Sequence, residues 1–345
     1  MDKRERVAAA LRGAPVDRVP WSCWGHDYFR EWTAAGLAAA TLERYRAFDW
    51  DYIKVNPRAT YFVEDWGCSF RPDPEGRSRP QVVSYTVHNP QDWADLSPLD
   101  IGSGALGQQL EALRAIGAGT GGEIALVQTI FTPLAIALDL LGGDGDRLKA
   151  HMADAPDLLH QGLVTISASF AAYANACLEA GASGIFLATT AVGSRDALDE
   201  VTYEEFGRPY DLQVLQAVAD ASFNVLHVCR RNNLLDLLRD YPVQAFSWDA
   251  TDPSNPTLEE GRRLTGKAVM GGISQRTVLQ AGPTEAVQAE VTEALAQTGG
   301  IGCLLAPGCS IPPETPPARR ATSGSPPSPV APGRLPPSPA ASTLG

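Results

Sequence analysis

Cysteine and long apolar runs are both scarce in this sequence of 345 residues. Its six cysteines are too few for the disulfide framework of a small secreted domain, so we interpret them as thiols or metal ligands in a reducing compartment. No uninterrupted apolar run approaches the roughly 20 residues that span a bilayer. The segment Met1–Gly13 is charged and helix-forming, without the apolar stretch that a secretory signal requires. We therefore expect a soluble, cytoplasmic protein that does not enter a membrane.

Positive charge is scarce as well. The chain has 28 Lys and Arg residues against 40 Asp and Glu residues, which gives a formal net charge of -12 at pH 7. A chain with this charge repels the phosphate backbone of nucleic acids and the surface of anionic lipids. We therefore predict that nucleic acid is not a partner.

What the sequence does contain is a repeated alternation of short β-rich runs with longer helical patterns. Such alternation is typical of βα units around a parallel sheet. Apolar residues at helical spacing predict crossover helices over 157–180 and 203–221. The eight predicted strands are Arg18–Gly25, Tyr52–Arg58, Ile124–Phe131, Gly184–Thr190, Asn224–Cys229, Ala245–Asp249, Ala268–Ile273 and Gly302–Ala306.

Eight strands with intervening helices predict an α/β fold, a (β/α)8 TIM barrel, over residues 1–317. A doubly wound open sheet would give a similar order of elements, but no predicted strand is followed by the G-x-G-x-x-G turn of dinucleotide-binding folds. The hydrophobic content of 44% is ample for a large core in either case. In a barrel, chemistry collects at the carboxyl ends of the strands, so candidate site residues are sought there.

Residues 318–345 change abruptly in composition. They are rich in proline, serine and alanine and contain no acidic residue, so this segment is predicted to be disordered. A barrel needs a final helix to cover the outer face of its last strand, and none is predicted after that strand. Two explanations fit this pattern: a shift of reading frame near Ala318 that replaced the helix, or a natural disordered tail with another element closing the barrel.

The strongest chemical signal combines the strand end His227-Val-Cys229 with Cys309, which follows another strand. Side chains two residues apart on a strand point the same way, so His227 and Cys229 can face one point above the barrel mouth. One imidazole and two thiolates form a soft ligand set suited to Zn²⁺, and three protein ligands leave a fourth position open, as in catalytic zinc sites. The alternative is a buried histidine with two unrelated apolar cysteines. The Pro307-Gly308 turn before Cys309 favours the metal site.

Residues near the ends of other predicted strands are further candidates. His26 follows the first predicted strand and is assigned a catalytic role, against the alternative of a local hydrogen bond with Asp27. Trp24 and Asn56 are assigned to cofactor binding. An indole can form an apolar wall against a flat macrocycle, although aromatic side chains at barrel mouths often only pack.

Several longer stretches resemble the uroporphyrinogen decarboxylase superfamily, and the resemblance runs from about Arg4 to Pro317. This superfamily has a (β/α)8 barrel. It includes decarboxylases and a branch of corrinoid-dependent methyltransferases that pass a methyl group between methylcobamide and a thiol such as coenzyme M. The resemblance is clearest in Thr129–Pro133, Ala180–Phe186, His227–Cys229, Phe246–Asp249 and Gly308–Pro317.

Two departures from the decarboxylases indicate the methyltransferase branch. The decarboxylases carry a Met-Arg-Gln-Ala-Gly-Arg loop whose arginines neutralise substrate carboxylates, whereas the corresponding stretch here, 19–28, has no arginine. They also carry Gly-His-Gly-Ile after the last strand, where this chain has Gly-Cys-Ser-Ile at 308–311. The methyltransferase branch has an H-x-C…C arrangement, which corresponds to His227, Cys229 and Cys309.

The resemblance therefore implies a zinc-dependent methyltransferase that acts on a small-molecule thiol and a corrinoid, the latter free or on a carrier protein. Asp249, at the end of the next predicted strand, is assigned a catalytic role, either as a fourth zinc ligand that the thiol displaces or as an acceptor that orients His227. Two alternatives remain. One is the decarboxylation of a tetrapyrrole in porphyrin biosynthesis, and the other is an inactive or binding-only barrel.

Overall fold

The computed structural model describes residues 1–317, so the prediction of a disordered tail over 318–345 lies outside the described residues. Within 1–317 the strands are β1 (Tyr52–Val55), β2 (Ser69–Arg71), β3 (Gln81–Ser84), β4 (Ala125–Phe131), β5 (Gly184–Ala188), β6 (Val225–His227), β7 (Ala245–Ser247), β8 (Ala268–Ile273) and β9 (Cys303–Pro307). The α-helices are α1 (Lys3–Leu11), α2 (Ala34–Phe48), α3 (Tyr61–Glu64), α4 (Gly104–Gly119), α5 (Pro133–Leu140), α6 (Gly145–Asp154), α7 (Pro156–Glu179), α8 (Glu200–Phe206), α9 (Arg208–Ala217), α10 (Leu258–Thr265), α11 (Val278–Ala281) and α12 (Thr284–Thr298).

Seven of the strands in residues 1–317 form one parallel sheet, in the order β1-β4-β5-β6-β7-β8-β9. Each strand pairs in parallel with the next, which is the arrangement that βα units produce. β2 and β3 form a separate antiparallel pair between β1 and β4 in the chain. The predicted α/β class, with helices packed on a parallel sheet, is therefore confirmed. Within the described part of the chain, no helix is both long enough and apolar enough to cross a bilayer.

The first predicted strand, Arg18–Gly25, contacts both edges of the curled sheet but is not a regular strand. Leu305 in β9 donates its N–H to the carbonyl oxygen of Pro20 at 2.9 Å. On the other side, Asp51, immediately before β1, donates its N–H to the carbonyl oxygen of Trp21 at 3.0 Å. Pro20 has no N–H to give, so the pairing is reduced to isolated bridges. The sheet edges nevertheless meet across this segment, as in a TIM-like barrel.

The predicted helix over 203–221 is interrupted in the structure. It divides into α8 and α9, and Pro209 lies in the first turn of α9. Proline has no N–H to continue the hydrogen bonds of a preceding helix, which explains the break. By contrast, the helix predicted over 157–180 matches α7 to within one residue at each end.

The interior of the curled sheet is apolar at the amino ends of its strands. Val7 and Ala10 of α1 join an inner cluster with side chains from the strands, among them Tyr52 and Val225. A larger cluster fills the layer between sheet and helices. Because the amino end is filled by apolar packing, the polar side chains that face inward are found near the carboxyl ends.

Candidate metal centre

His227, Cys229 and Cys309 come together at the carboxyl end of the sheet. One potential ligand atom from each lies within 4.8 Å of the other two. His227 is the last residue of β6, and the two cysteines each follow the end of a strand by two residues. β6 and β9 are separated by two strands in the sheet, so the approach of Cys309 depends on the curl of the sheet.

The imidazole of His227 is held on two sides. Its Nδ1 lies 3.0 Å from the hydroxyl oxygen of Ser247, the last residue of β7. Its ring stacks on Phe186, with the ring centroids 5.1 Å apart. Only 3% of His227 is exposed. Since Nδ1 is engaged by Ser247, Nε2 is the nitrogen left for a metal, and a contact of this kind fixes both the tautomer and the ring orientation.

Thr189, directly after β5, fixes the segment that carries Cys229. The N–H of Thr189 donates to the carbonyl oxygen of His227 at 3.0 Å. The hydroxyl oxygen of Thr189 in turn accepts the N–H of Cys229 at 3.1 Å. One buried threonine therefore joins the end of β5 to both ligand residues beyond it.

A glycine allows Cys309 to reach the site. The N–H of Gly308 donates to the carbonyl oxygen of Ile273, the last residue of β8, at 2.9 Å. A Cβ at residue 308 would lie 2.8 Å from the backbone and carboxylate of Asp249, closer than Cβ atoms approach other atoms. The turn can pack this tightly only with glycine at 308, and it delivers the next residue, Cys309, to the other two ligands.

The electrostatics of the two thiols distinguish them. A hydrogen bond shared by the two side chains lowers the pKa of Cys309 well below its ordinary value and raises the pKa of Cys229. A hydrogen bond with His227 lowers the pKa of Cys309 further, against the opposing effect of burial. Thiolate is the form that binds metals. One nitrogen and two sulfur atoms within 4.8 Å therefore fit a zinc ion with an open coordination position.

Asp249 lies beside this centre but faces other partners. Its Oδ1 accepts the N–H of Thr251 at 3.1 Å, and its Oδ2 accepts the side-chain N–H of Gln275 at 2.9 Å. The hydrogen bond that orients His227, which the sequence led us to consider for Asp249, is made by Ser247 instead. The roles of Ser247 and Thr189 were not predicted, because an isolated hydroxyl residue at or just after the end of a strand gives no distinctive pattern.

His26 and Trp24 lie on the segment that closes the sheet. The Nδ1 of His26 is 2.9 Å from a carboxylate oxygen of the fully buried Glu31, whereas Asp27 pairs with Arg30. His26 therefore pairs with Glu31, and the local hydrogen bond with Asp27 that was considered as an alternative is not formed. Trp24 is only 3% exposed, and its indole packs edge-on against a ring of the inner cluster.

Asn56 has a charged neighbour, Lys54, that was not predicted to belong to the site. Lys54, in β1, donates from Nζ to the Oδ1 of Asn56, which also accepts from the hydroxyl of Ser310 at 3.3 Å. The ammonium lies 4.8 Å from the ring centroid of Phe186 and 5.6 Å from that of Trp24. Burial lowers the pKa of Lys54 from 10.5 to about 7. The available signal was a charged residue among the apolar residues that begin the predicted strand, on the same face as Asn56.

A cavity of about 510 Å³ lies apart from this centre, beside α6 and α8. Its charged lining residue Arg195 is already paired with Glu200 and Asp236. None of the three candidate ligands lines it. The chemistry of the soft donor set, and not the size of a cavity, therefore locates the candidate site.

Comparison with known proteins gives concordant matches. The family model described as uroporphyrinogen decarboxylase (URO-D) matches residues 2–322. Methylcobamide:CoM methyltransferase MtaA of Methanosarcina barkeri is 28% identical over 334 residues, covering 91% of this chain and 94% of that protein. MtbA of Methanosarcina acetivorans, with the same activity in its name, is 25% identical over 330 residues, with coverage of 91% and 94%.

Two further matches are a decarboxylase sequence and a solved methyltransferase structure. A uroporphyrinogen decarboxylase of Nitrosomonas europaea is 28% identical over 310 residues, covering 86% of this chain and 81% of that protein. Among solved structures, a methyltransferase from Methanosarcina mazei superposes with a TM-score of 0.77 at 24% identity, covering 94% of this chain and 97% of that one. The structural match shows a shared fold.

Proposed function

Because the chain belongs to the uroporphyrinogen decarboxylase family, we propose that it is a zinc-dependent methyltransferase that moves a methyl group between a corrinoid and a small-molecule thiol. The observation that carries the proposal is the convergence of His227, Cys229 and Cys309 within 4.8 Å. The similarity to proteins named methylcobamide:CoM methyltransferases, over nine-tenths of both chains, supports it. We assign the barrel to residues 1–317.

The residues of the chain have distinct parts in this reaction. A zinc ion held by the three ligands would supply the positive charge that keeps a substrate thiol deprotonated near neutral pH. Ser247 and Thr189 hold His227 and Cys229 in place. In the transfer, a bond forms between the thiol sulfur and the methyl carbon as the carbon–cobalt bond breaks, and the electron pair of that bond stays on cobalt.

The remaining candidate residues are assigned around this centre. The thiol proton leaves before the transfer, and we assign its acceptance to His26, which the buried Glu31 orients. Trp24 forms part of the apolar floor beneath the corrinoid and the thiol. Asp249 serves as a fourth ligand only if it releases Thr251 or Gln275. The corrinoid is either free or bound to a separate carrier protein.

Zinc content tests the ligand set directly. The purified full-length protein is expected to contain about one equivalent of zinc, and Cys309→Ser is expected to lose it. The matched control is Cys177→Ala, because Cys177 is fully buried in α7 and outside the cluster. Metal analysis of the three proteins gives the comparison.

Methyl transfer tests the activity. Zinc-loaded protein mixed with methylcobalamin and a small thiol is expected to convert the absorbance spectrum of methylcobalamin to that of the demethylated corrinoid, and Cys309→Ser is expected to be inactive. Failure of the native protein to bind zinc would overturn the proposal. Turnover of uroporphyrinogen III by metal-free protein would replace it with decarboxylation.

A further inference from the structure

The two cysteines of the candidate metal centre differ from the others in exposure. Cys229 and Cys309 are both partly exposed. The remaining four cysteines are buried: Cys23, Cys68, Cys177 and Cys303. A dissolved oxidant reacts with a thiol that it can reach, so oxidation of this protein is directed to Cys229 and Cys309.

The sulfur atoms of these two cysteines lie close together. Their distance is within 4.8 Å, and the two side chains share a hydrogen bond. Thr189 fixes the backbone of Cys229, and the tight turn at Gly308 fixes the position of Cys309. A disulfide requires sulfur atoms about 2 Å apart. Rotation of the two side chains about their Cα–Cβ bonds is the movement that would bring the sulfurs together.

The same two sulfurs cannot bind a metal and form a disulfide at once. A metal is bound by thiolates, and the sulfurs of a disulfide carry no negative charge. Oxidation of the pair leaves His227 as the one member of the cluster that can still bind zinc. A catalytic zinc site has three protein ligands, so a single imidazole does not retain the ion.

We infer that Cys229 and Cys309 form a redox switch, in which hydrogen peroxide converts the two thiolates to a disulfide and zinc is released. The inference rests on the proposed function, because it takes both cysteines to be zinc ligands. One thiolate attacks an oxygen of the peroxide, the O–O bond breaks, hydroxide leaves and a sulfenic acid forms. The other thiolate attacks that sulfur, the S–O bond breaks, hydroxide leaves and the S–S bond forms. The sulfurs lose two electrons, the peroxide gains them, and two protons convert the hydroxides to water.

A small thiol of the kind proposed as the substrate reverses this oxidation. Its thiolate attacks the disulfide and forms a mixed disulfide with one cysteine, and a second thiol molecule then displaces that cysteine. The products are two protein thiols and one small-molecule disulfide, so zinc can bind again. The switch therefore makes metal binding depend on the balance between peroxide and thiol.

Peroxide treatment of the zinc-loaded full-length protein tests the inference. A chromophoric chelator reports zinc release, and free thiols are counted after denaturation. We expect about one zinc to leave for every two thiols lost, so that the six thiols of the chain fall to four. Peptide mass analysis should find the peptides of Cys229 and Cys309 joined, with the loss of two hydrogen atoms. Treatment with 2-mercaptoethanol and then zinc should restore the thiols and the metal.

Cys177→Ala is the matched control, because it removes a buried thiol outside the cluster and should release zinc as the native protein does. In Cys309→Ser, peroxide should add oxygen to Cys229 without a cross-link, since the partner sulfur is missing.

Two results with the native protein would overturn the inference and leave the proposed function intact. One is retention of zinc and of all six thiols under peroxide. The other is addition of oxygen to Cys229 or Cys309 without a cross-link between them. A native protein that binds no zinc before peroxide is added would instead refute the proposed function.

Discussion

The two ends of the curled sheet differ, although the same strands build both. At the amino ends, Tyr52 and Val225 belong to an apolar cluster that α1 covers. On the same faces of the same strands, two residues further along, stand Lys54 and His227. One step of about 6.6 Å along a strand therefore separates residues that stabilise the fold from residues that face the candidate site.

The cysteines show the same contrast. Cys177 and Cys303 are fully buried in the packed layers, and burial raises the pKa of the first to about 12 and of the second to about 11. Cys309, two residues beyond the end of β9, has its pKa lowered by its contacts with Cys229 and His227. The location of a cysteine in the fold thus decides whether it packs as an apolar side chain or lies among the candidate metal ligands.

The largest expected effect is on stability, from a change at the amino end. Phe223 is 1% exposed and packs edge-on against Tyr52, with centroids 5.6 Å apart. Phe223→Ala leaves a cavity and should lower the free energy of unfolding by about 3–5 kcal/mol. Chemical denaturation measures this loss, and zinc content per folded molecule should not change.

The control for this prediction is Phe29→Ala, because Phe29 is 74% exposed. Its free energy of unfolding should stay within about 0.5 kcal/mol of the native value. If Phe223→Ala also released zinc from protein that is still folded, packing at the amino end of the sheet would be coupled to the metal site at the carboxyl end. The two ends would then not be independent.

A second prediction concerns a buried carboxyl outside both ends. Asp211 in α9 accepts hydrogen bonds from the hydroxyls of Tyr203 and Tyr241, and burial raises its pKa to about 7, against the effect of those bonds. Between about pH 4 and pH 7 the folded protein therefore holds a proton that the unfolded chain releases. Stability should fall as pH rises through this window, by about 2–4 kcal/mol from this group.

Asp211→Asn should make the free energy of unfolding less dependent on pH between about pH 4 and pH 7, because the amide does not titrate. Its oxygen can still accept hydrogen bonds from both tyrosines. The slope of the free energy of unfolding against pH should therefore be smaller than in the native protein. Denaturation at several pH values measures the effect. Part of the slope will remain, since burial also raises the pKa of Asp139 to about 7. Asp220→Asn, at an exposed position after α9, is the matched control and should leave the slope unchanged. An unaltered slope in Asp211→Asn would show that this carboxyl is already ionised in the folded protein.

The sequence predicted the parallel sheet and the three candidate ligands because both follow from local patterns. Alternating residues on a strand place His227 and Cys229 on one side, and Pro307 with Gly308 predicts a turn before Cys309. The irregular pairing of 18–25 was not predicted, because its strand-like composition conceals the effect of one proline. Ser247, the partner of His227, lies on the next strand, so this contact depends on the folded arrangement of separate segments and leaves no local pattern. Glu31, the partner of His26, is close in sequence, but the loop that joins them is irregular and has no periodicity from which to predict the contact.

The smallest expected effect is on metal affinity alone. It tests whether a change at the carboxyl end of the sheet can alter zinc binding without altering the stability of the fold. Ser247→Ala removes the contact to Nδ1 of His227 without removing a ligand, so the ring can rotate and the unligated nitrogen loses its partner. Zinc affinity should fall by about tenfold, as measured by competition with a chromophoric chelator.

Ser167→Ala, at a buried serine in α7, is the control and should leave the zinc affinity unchanged. The hydroxyl that it removes is bonded to Gln213 and lies in the helical layer. Equal losses in the two variants would mean that affinity follows general stability. A loss confined to Ser247→Ala would show that the hydroxyl acts through the orientation of a single imidazole.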